Sequence, residues 1–409
     1  MKNKVLFLFI IHILFLSCIT DVRGQSESYW RDFHYNFYSK FKLYKLEDLN
    51  DTNLDSVYAL SISRKELTKV PEQVFKLKNL QYLSLVRLKL EQIPPRIKEL
   101  KRLKALDIRR NKITEIPDYI TECDSLFYIH AASNDIEKIT PKIKKLKELS
   151  FLMLNHNELQ NLPKSISDLK NLRGLHVEGN ELENVSLNLA KLNKLEELNL
   201  KSNSISSLNL NNPEKSTLIK ITVGRNKLQE IPNEVYSLTN LTSLDFGSNK
   251  IKYISPDISN LTSLEELGFY DNQLKDLPSK LSALHKLKDL ELTKNDFRKI
   301  PASIFQLTNI DVLGLANNKI FEIPKDILKL EKLWHFSMSN NPISVLPSYL
   351  VKHEGLSHLF LDGTNIRHIP DSFYNIHLQQ LYLEEDNFSM TEQKEIKQKF
   401  KNSVSAYFE

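Results

Sequence analysis

The chain has 409 residues, 41% hydrophobic and 26% charged with only 9 glycines, which excludes a disordered tail or a collagen-like fibre and describes a folded protein. Its formal charge of +5 falls by two when Lys2 and Lys4 leave with a leader segment, far too little for counterion-driven nucleic-acid binding. Cys18 and Cys123 are the two cysteines, so no intramolecular disulfide survives once Cys18 is lipidated or removed.

Read from the start, Lys2 and Lys4 precede VLFLFIIHILFL at residues 5–16, an apolar run too short to span a bilayer and laid out like a secretory signal. Two processing sites fit. Phe15-Leu16-Ser17-Cys18 has the form of a relaxed lipobox, which ends the leader at residue 17 and offers Cys18 for lipidation. Val22-Arg23-Gly24 before Gln25 suits ordinary signal peptidase and ends it at residue 24. Residues 25–56 follow as an N-terminal capping region, in which Trp30, Phe33, Phe37, Phe41 and Tyr44 share one face of a predicted helix and cover the open core at Val57.

From Val57 the sequence repeats. Units start at Val57, Leu80, Leu103, Leu126, Leu149, Leu172, Leu195, Leu218, Leu241, Leu264, Leu287, Ile310, Leu333 and Leu356, each 23 residues after the last, and a shortened step leads to Leu378. In LSFLMLNHNELQNLP (149–163) apolar and polar residues first alternate, which predicts a short strand with Leu152 and Leu154 inside. The following LPKSISDLKN spaces its apolar residues by three and four, as a helical turn packed behind that strand does. Ten prolines, Pro71, Pro94, Pro117, Pro163, Pro232, Pro278, Pro301, Pro324, Pro347 and Pro370, stand where the chain enters this turn, where a fixed φ and a missing N–H cost little. Asn157 recurs as Asn111, Asn134, Asn180, Asn203, Asn226, Asn249, Asn272, Asn295, Asn318 and Asn341, with Lys65, Leu88, Thr364 and Asp386 replacing it at the ends. Where the chain turns out of a strand inside the core, an amide that donates and accepts can replace missing backbone partners.

The pattern LxxLxLxxNxLxxLPxxIxxLxx over residues 57–388, about 15 units, resembles the leucine-rich repeat family. That resemblance implies an α/β fold: a right-handed horseshoe solenoid with a concave parallel sheet and short helical turns on the convex side. At the far end, residues 389–409 form a C-terminal cap. Ser389-Met390-Thr391-Glu392 reads as a capping box opening a helix that carries Ile396 and Phe400, and VSAYF seals the last unit. Secreted animal members close their ends with cysteine-rich caps, so this chain resembles bacterial members, as secreted proteins or lipoproteins.

Leucines and asparagines build the scaffold, so ligand information belongs to the outward strand residues of a face about 70 Å long. On the first units the candidate ligand-binding residues are Arg64, Tyr82, Arg87, Arg109, Arg110, Tyr128, His130, Phe151, Met153, His156 and His176. Aromatic residues beside arginine are what interface hot spots favour, although the same aromatics also pack against one another across strands. Asp245, Glu266, Tyr270, Asp271, Asp289 and Glu291 form a second, acidic patch, so the face is segregated by charge. His335, His358, Phe360 and Tyr382 follow as a last group. No carboxylate or thiolate joins His130, His156 and His176 at ligand spacing, so no metal is expected, and five sequons starting at Asn50, Asn184, Asn240, Asn260 and Asn387 are chance in an Asn-rich chain.

No phosphate loop, nucleophile elbow or metal-ligand helix is present in the sequence, so neither an enzyme nor a cofactor is expected. Ubiquitin-ligase effectors with similar repeats carry a separate domain with a nucleophilic cysteine, whereas Cys123 occupies a core position of a repeat. The expectation is a monomeric, non-enzymatic binding protein of the bacterial envelope or exterior, with a protein or a glycan on its concave face and a lipid at Cys18 as its sole membrane link. The competing reading is an intracellular signalling scaffold, which the LPxxIxxL repeat form also resembles.

Overall fold

The computed structural model describes residues 40–64, 66–400 and 405–408. The leader, Cys18, Trp30, Phe33, Phe37 and the ladder position Lys65 lie outside the described residues. Among those described, one parallel sheet of 17 strands runs from Leu43–Lys45 to Ser405–Phe408. Neighbouring strands pair one repeat apart, Phe151 with Gly174 and Leu152 with Leu175 for instance. The alternation sends Leu152 and its equivalents into one continuous core along the solenoid, while Met153 and its equivalents line the opposite, concave face.

Behind the sheet most repeats make a five-residue 3-10 turn, such as Lys164–Asp168. Its bonds close over three residues, Ile166 N–H to Pro163 O at 2.9 Å and Leu169 N–H to Ile166 O at 3.1 Å. Proline at the entrance and the leucine that dives back into the core leave room for one tight turn and no α-helical propagation. All ten prolines occupy the capping position of these turns. In two repeats the proline moves one residue inward, and Thr140 and Ser255 cap instead, accepting from Lys142 N–H and Asp257 N–H.

Where proline is missing the convex side changes structure. Ser186 and Asn209 stand at the proline position of their repeats, and there Asn184–Asn188 and Ser207–Asn211 pair as a second parallel sheet, Ser186 beside Asn209. A free N–H and alternating apolar residues allow a ladder that proline blocks. Pro163 and Pro232 stand at the same position in the flanking repeats.

The asparagine ladder stitches one repeat to the next. Asn157 Nδ2 donates to Leu154 O (2.9 Å) in its own repeat and to Ala131 O (3.0 Å) in the previous one, while Oδ1 accepts from Ile136 N–H (3.0 Å). The same geometry recurs from Asn111 to Asn341, with Thr364 Oγ1 donating to Leu361 O at the far end. A second set of rungs lies at the opposite end of the strands. Asn79, Asn171 and Asn309 donate to Asp55 O, Lys147 O and His285 O, and accept from Arg102, Lys194 and Lys332 of the next repeat.

The ends close differently from each other. The predicted helical stripe does not reach Phe41 and Tyr44. Tyr44 lies in the first strand beside Leu60, and Phe41 stacks on Tyr58 with ring centroids 4.7 Å apart. The open edge of Ala59–Ser63 exposes a row of backbone donors and acceptors, which an added strand satisfies and a helix does not. At the other end Ser389 and Glu392 form the expected capping box, and the helix Met390–Lys399 buries Ile396 ahead of Phe400. Ser405–Phe408 then adds the last strand, pairing with Gln380–Leu383.

Candidate functional site

The concave face carries three chemistries in succession. At its start, Arg64, Arg87 and Arg110 each stand just before a ladder position and are exposed. Their φ angles are 55°, 55° and 57°, and the equivalent residue is left-handed in every described repeat as far as Asn340 and Gly363. This turn lets the strand leave the sheet so that the next side chain points inward. Sequence reading missed it because glycine, the usual marker of positive φ, fills the position only at Gly179 and Gly363.

Arg109 belongs to the same stretch but not to the same surface. Its Nε and Nη2 grip the buried Asp107 carboxylate at 2.9 and 2.7 Å, and that bond raises its pKa. Nor are the neighbouring aromatics free hot spots. Tyr82, Tyr128 and Phe151 are 4%, 1% and 5% exposed and pack with Ala59 and Ala105, with Phe41, Phe127 and Met153 against them. Tyr128 and Phe151 face each other in register on adjacent strands, their rings tilted with centroids 6.1 Å apart, and Tyr82 lies beyond Ala105, so the side chains cover one another. His130 lies edge-on to Tyr128, whose hydroxyl is 2.9 Å from Met153 Sδ. His176 Nε2 sits 3.2 Å from Glu197 Oε2. His156 is exposed and lies over Gly179, where a Cβ would stand 2.5 Å from its Nδ1.

The centre is a belt of half-buried carboxylates on adjacent strands. Glu266 pairs in register with Asp289, and Gly268 with Glu291. Glycines leave room for the belt: a Cβ on Gly268 would come within 3.1 Å of Asp245 Oδ1, and one on Gly314 within 2.4 Å of Glu291 Oε2. Burial raises all four carboxyl groups, partly offset by Gly247 N–H at Asp245, Ser243 at Glu266 and Thr293 at Glu291. Asp289 has no such donor. Its Oδ1 is buried without a hydrogen bond, and burial, followed by the charges of Glu291, Glu266 and Asp311, pushes it up to about 7. Asp271 stands apart in an ion pair with Lys294 at 2.7 Å, and the Tyr270 ring lies across Gly247.

The last third is aromatic. Phe360, Tyr382 and Tyr407 stack along the sheet with centroids 4.6 Å apart at each step. Trp334 meets His335 and His358 edge-on. Burial, then the neighbouring His358, pushes His335 down to about 4, so both imidazoles are neutral near pH 7. Tyr407 was not singled out in the sequence because the strand that carries it lies beyond the last regular repeat. Among the described residues no group of three or more His, Cys, Asp or Glu is placed to hold a metal ion.

A stack of 23-residue units, each giving one strand to a parallel sheet and one amide to a buried ladder, defines a repeat solenoid with one long variable face. Comparison with known proteins agrees. The leucine-rich repeat family model matches residues 216–274 and 285–343. A leucine-rich repeat protein of Leptospira interrogans is 29% identical, with 90% of this chain and all of that one covered at a TM-score of 0.80. The chain therefore resembles leucine-rich repeat proteins, bacterial members among them. An internalin of Listeria monocytogenes shares the fold at 22% identity and TM-score 0.62, covering 81% of this chain and 92% of the other. The plant peptide hormone receptor RGFR1, in complex with RGF2, is 25% identical with a TM-score of 0.67, covering 80% of this chain and 54% of the receptor. A search of the curated proteins gives no match.

Proposed function

We propose that the chain is a non-enzymatic recognition protein of a bacterial envelope or exterior, holding a protein ligand on its concave face. The face itself carries this reading. Its outward residues build little of the continuous core, change from repeat to repeat and sort into a basic rim, a carboxylate belt and an aromatic end. The similarity to a bacterial protein over nine-tenths of the chain supports the setting, and the plant receptor's complex with RGF2 supports a protein ligand. Export rests on the leader and its two processing sites, with lipid at Cys18 or release at Gln25. Binding is favoured over catalysis because Cys123, the one cysteine among the described residues, is buried against Ile97 O and pushed up to about 12 by burial, which keeps it from serving as a thiolate nucleophile.

The test is partner capture from envelope and culture fractions on the mature protein. The near-isosteric variant Glu266→Gln/Asp289→Asn/Glu291→Gln runs beside it, with Lys144→Ser on the convex side as control. The expected result is a protein retained by the native chain and the Lys144 variant and lost from the triple variant. Equal retention by all three removes the carboxylate belt as the site.

A further inference from the structure

Arg64, Arg87 and Arg110 occupy equivalent places on three consecutive repeats, one strand spacing of about 4.8 Å apart, and all three are exposed with left-handed backbone. Elsewhere the position holds Ser133, Ser202 and Ser248, Asn317 and Asn340, Gly179 and Gly363, with His156, Asp271 and Lys294 at single repeats. Arginine gains nothing from a left-handed backbone, which is costly for ordinary L-residues. Three guanidinium groups side by side also repel one another. None of the three makes an ion pair with a described residue, whereas Arg109 next to them is bound by Asp107 and Lys294 farther along by Asp271. Arg225, the remaining arginine at this position, stands alone between Ser202 and Ser248.

We propose that Arg64, Arg87 and Arg110 form a comb that anchors a short acidic run of the protein ligand, two or three carboxylates lying across the first three repeats. This rests on the reading that the ligand is a polypeptide on the concave side. Two strand spacings cover about 10 Å, the length of roughly three extended residues. The planar guanidinium fork suits carboxylates. Three cations on a chain of low net charge fall well short of the six to ten phosphate contacts over which nucleic-acid affinity is typically built. The carboxylate belt farther along repels an acidic run, which confines it to the first repeats and sets the direction in which the ligand lies.

Fluorescence anisotropy of a labelled hexaglutamate peptide with the full chain tests this, with Arg64→Ser/Arg87→Ser/Arg110→Ser, the corresponding triple lysine variant and Arg225→Ser alongside. Serine is native at this position in other repeats, so thermal melting of the triple serine variant should match the native chain and separates lost binding from lost fold. We expect binding that weakens with salt, falls by at least about tenfold in the serine variant and by less in the lysine variant, and is unchanged in Arg225→Ser. The comb is refuted if hexaglutamate does not bind the native chain, or binds the serine variant equally well. Tighter binding of a sulfated oligosaccharide or a DNA oligonucleotide with the same arginine dependence refutes the acidic polypeptide. Neither result touches the capture experiment, whose carboxylate variant leaves these arginines intact.

Discussion

Asn226→Ala measures what one rung of the ladder contributes, at a half-buried position. Asn226 Nδ2 donates to Val223 O at 2.9 Å and Leu200 O at 3.0 Å, and Oδ1 accepts from Ile205 N–H at 2.9 Å. The two carbonyls do not lose everything with the side chain: Val223 O also accepts from Asn249 and Leu200 O from Asn203. Ile205 N–H has no such second partner among the described residues, so alanine strands one donor and halves two acceptors. A stranded buried donor costs about 1–3 kcal/mol, and with two weakened carbonyls the expected loss is about 2–3 kcal/mol, read as a lower urea midpoint. Asn226→Asp sharpens the argument, because it preserves size and the acceptor for Ile205 while turning a carboxylate toward two carbonyl oxygens. It should be worse than alanine at pH 7, and the gap between them should narrow at pH 4, where a protonated carboxyl can donate. An unchanged midpoint for alanine, or aspartate better tolerated than alanine at pH 7, would refute the ladder as a set of backbone surrogates.

The carboxylate belt should make stability fall as pH rises. Asp289 has a folded pKa of about 7 against an ordinary 3.8, so the native state binds the extra proton between those values and stability drops as pH climbs through that window; Asp289→Asn should recover on the order of 2 kcal/mol at pH 8 and flatten the pH–stability slope. His335, pushed down to about 4, works in the opposite sense, since the unfolded chain takes up its proton first, and His335→Gln should lessen the loss of stability below pH 6. Cys123 should resist a thiol reagent in the native state and react fully in urea, and fast native labelling would contradict its burial. Ser255→Ala removes the acceptor for Asp257 N–H and should cost about 1 kcal/mol in a denaturant titration, near the value for a lost cap.

Much of the scaffold was legible because its causes are local and repeat in register. Leucine spacing, the proline before each turn and the asparagine after each strand are each dictated inside one unit, so repetition confirmed the reading many times over. The concave face was less legible because side chains there meet across repeats. Tyr82, Tyr128 and Phe151 alternate outward as a hot spot would, yet packing across neighbouring strands, with Ala105 between Tyr82 and Tyr128, closes them into a cluster. Arg109 differs from Arg110 by one place in the sequence, but only the fold shows that Asp107 holds the first and leaves the second exposed. The first strand at Leu43–Lys45 was hidden for a related reason: its aromatic spacing fits a helix, and what decides its conformation is the open edge of a sheet that the segment itself does not contain.

The left-handed turn explains how such a regular scaffold carries such uneven chemistry. Left-handed backbone at this place normally demands glycine, and glycine at every repeat would leave the rim without side chains. Here the ladder amide bonds to strand carbonyls of its own and the previous repeat and to a backbone N–H of the previous repeat, and the N–H of the turn residue itself is bonded to the next repeat, as Arg110 N–H is to Ala132 O at 3.0 Å. The conformation is thus held by neighbouring repeats and not by the identity of the residue in it. Serine, asparagine, aspartate, histidine, lysine and arginine all occur there, and charge can accumulate on the rim without altering the core. That freedom gives the three arginines their significance, because the backbone did not require them and serine serves the same place elsewhere. If the triple serine variant melts with the native chain and no longer holds hexaglutamate, rim and core are separable in this protein; if it instead melts lower, the arginines belong to the scaffold.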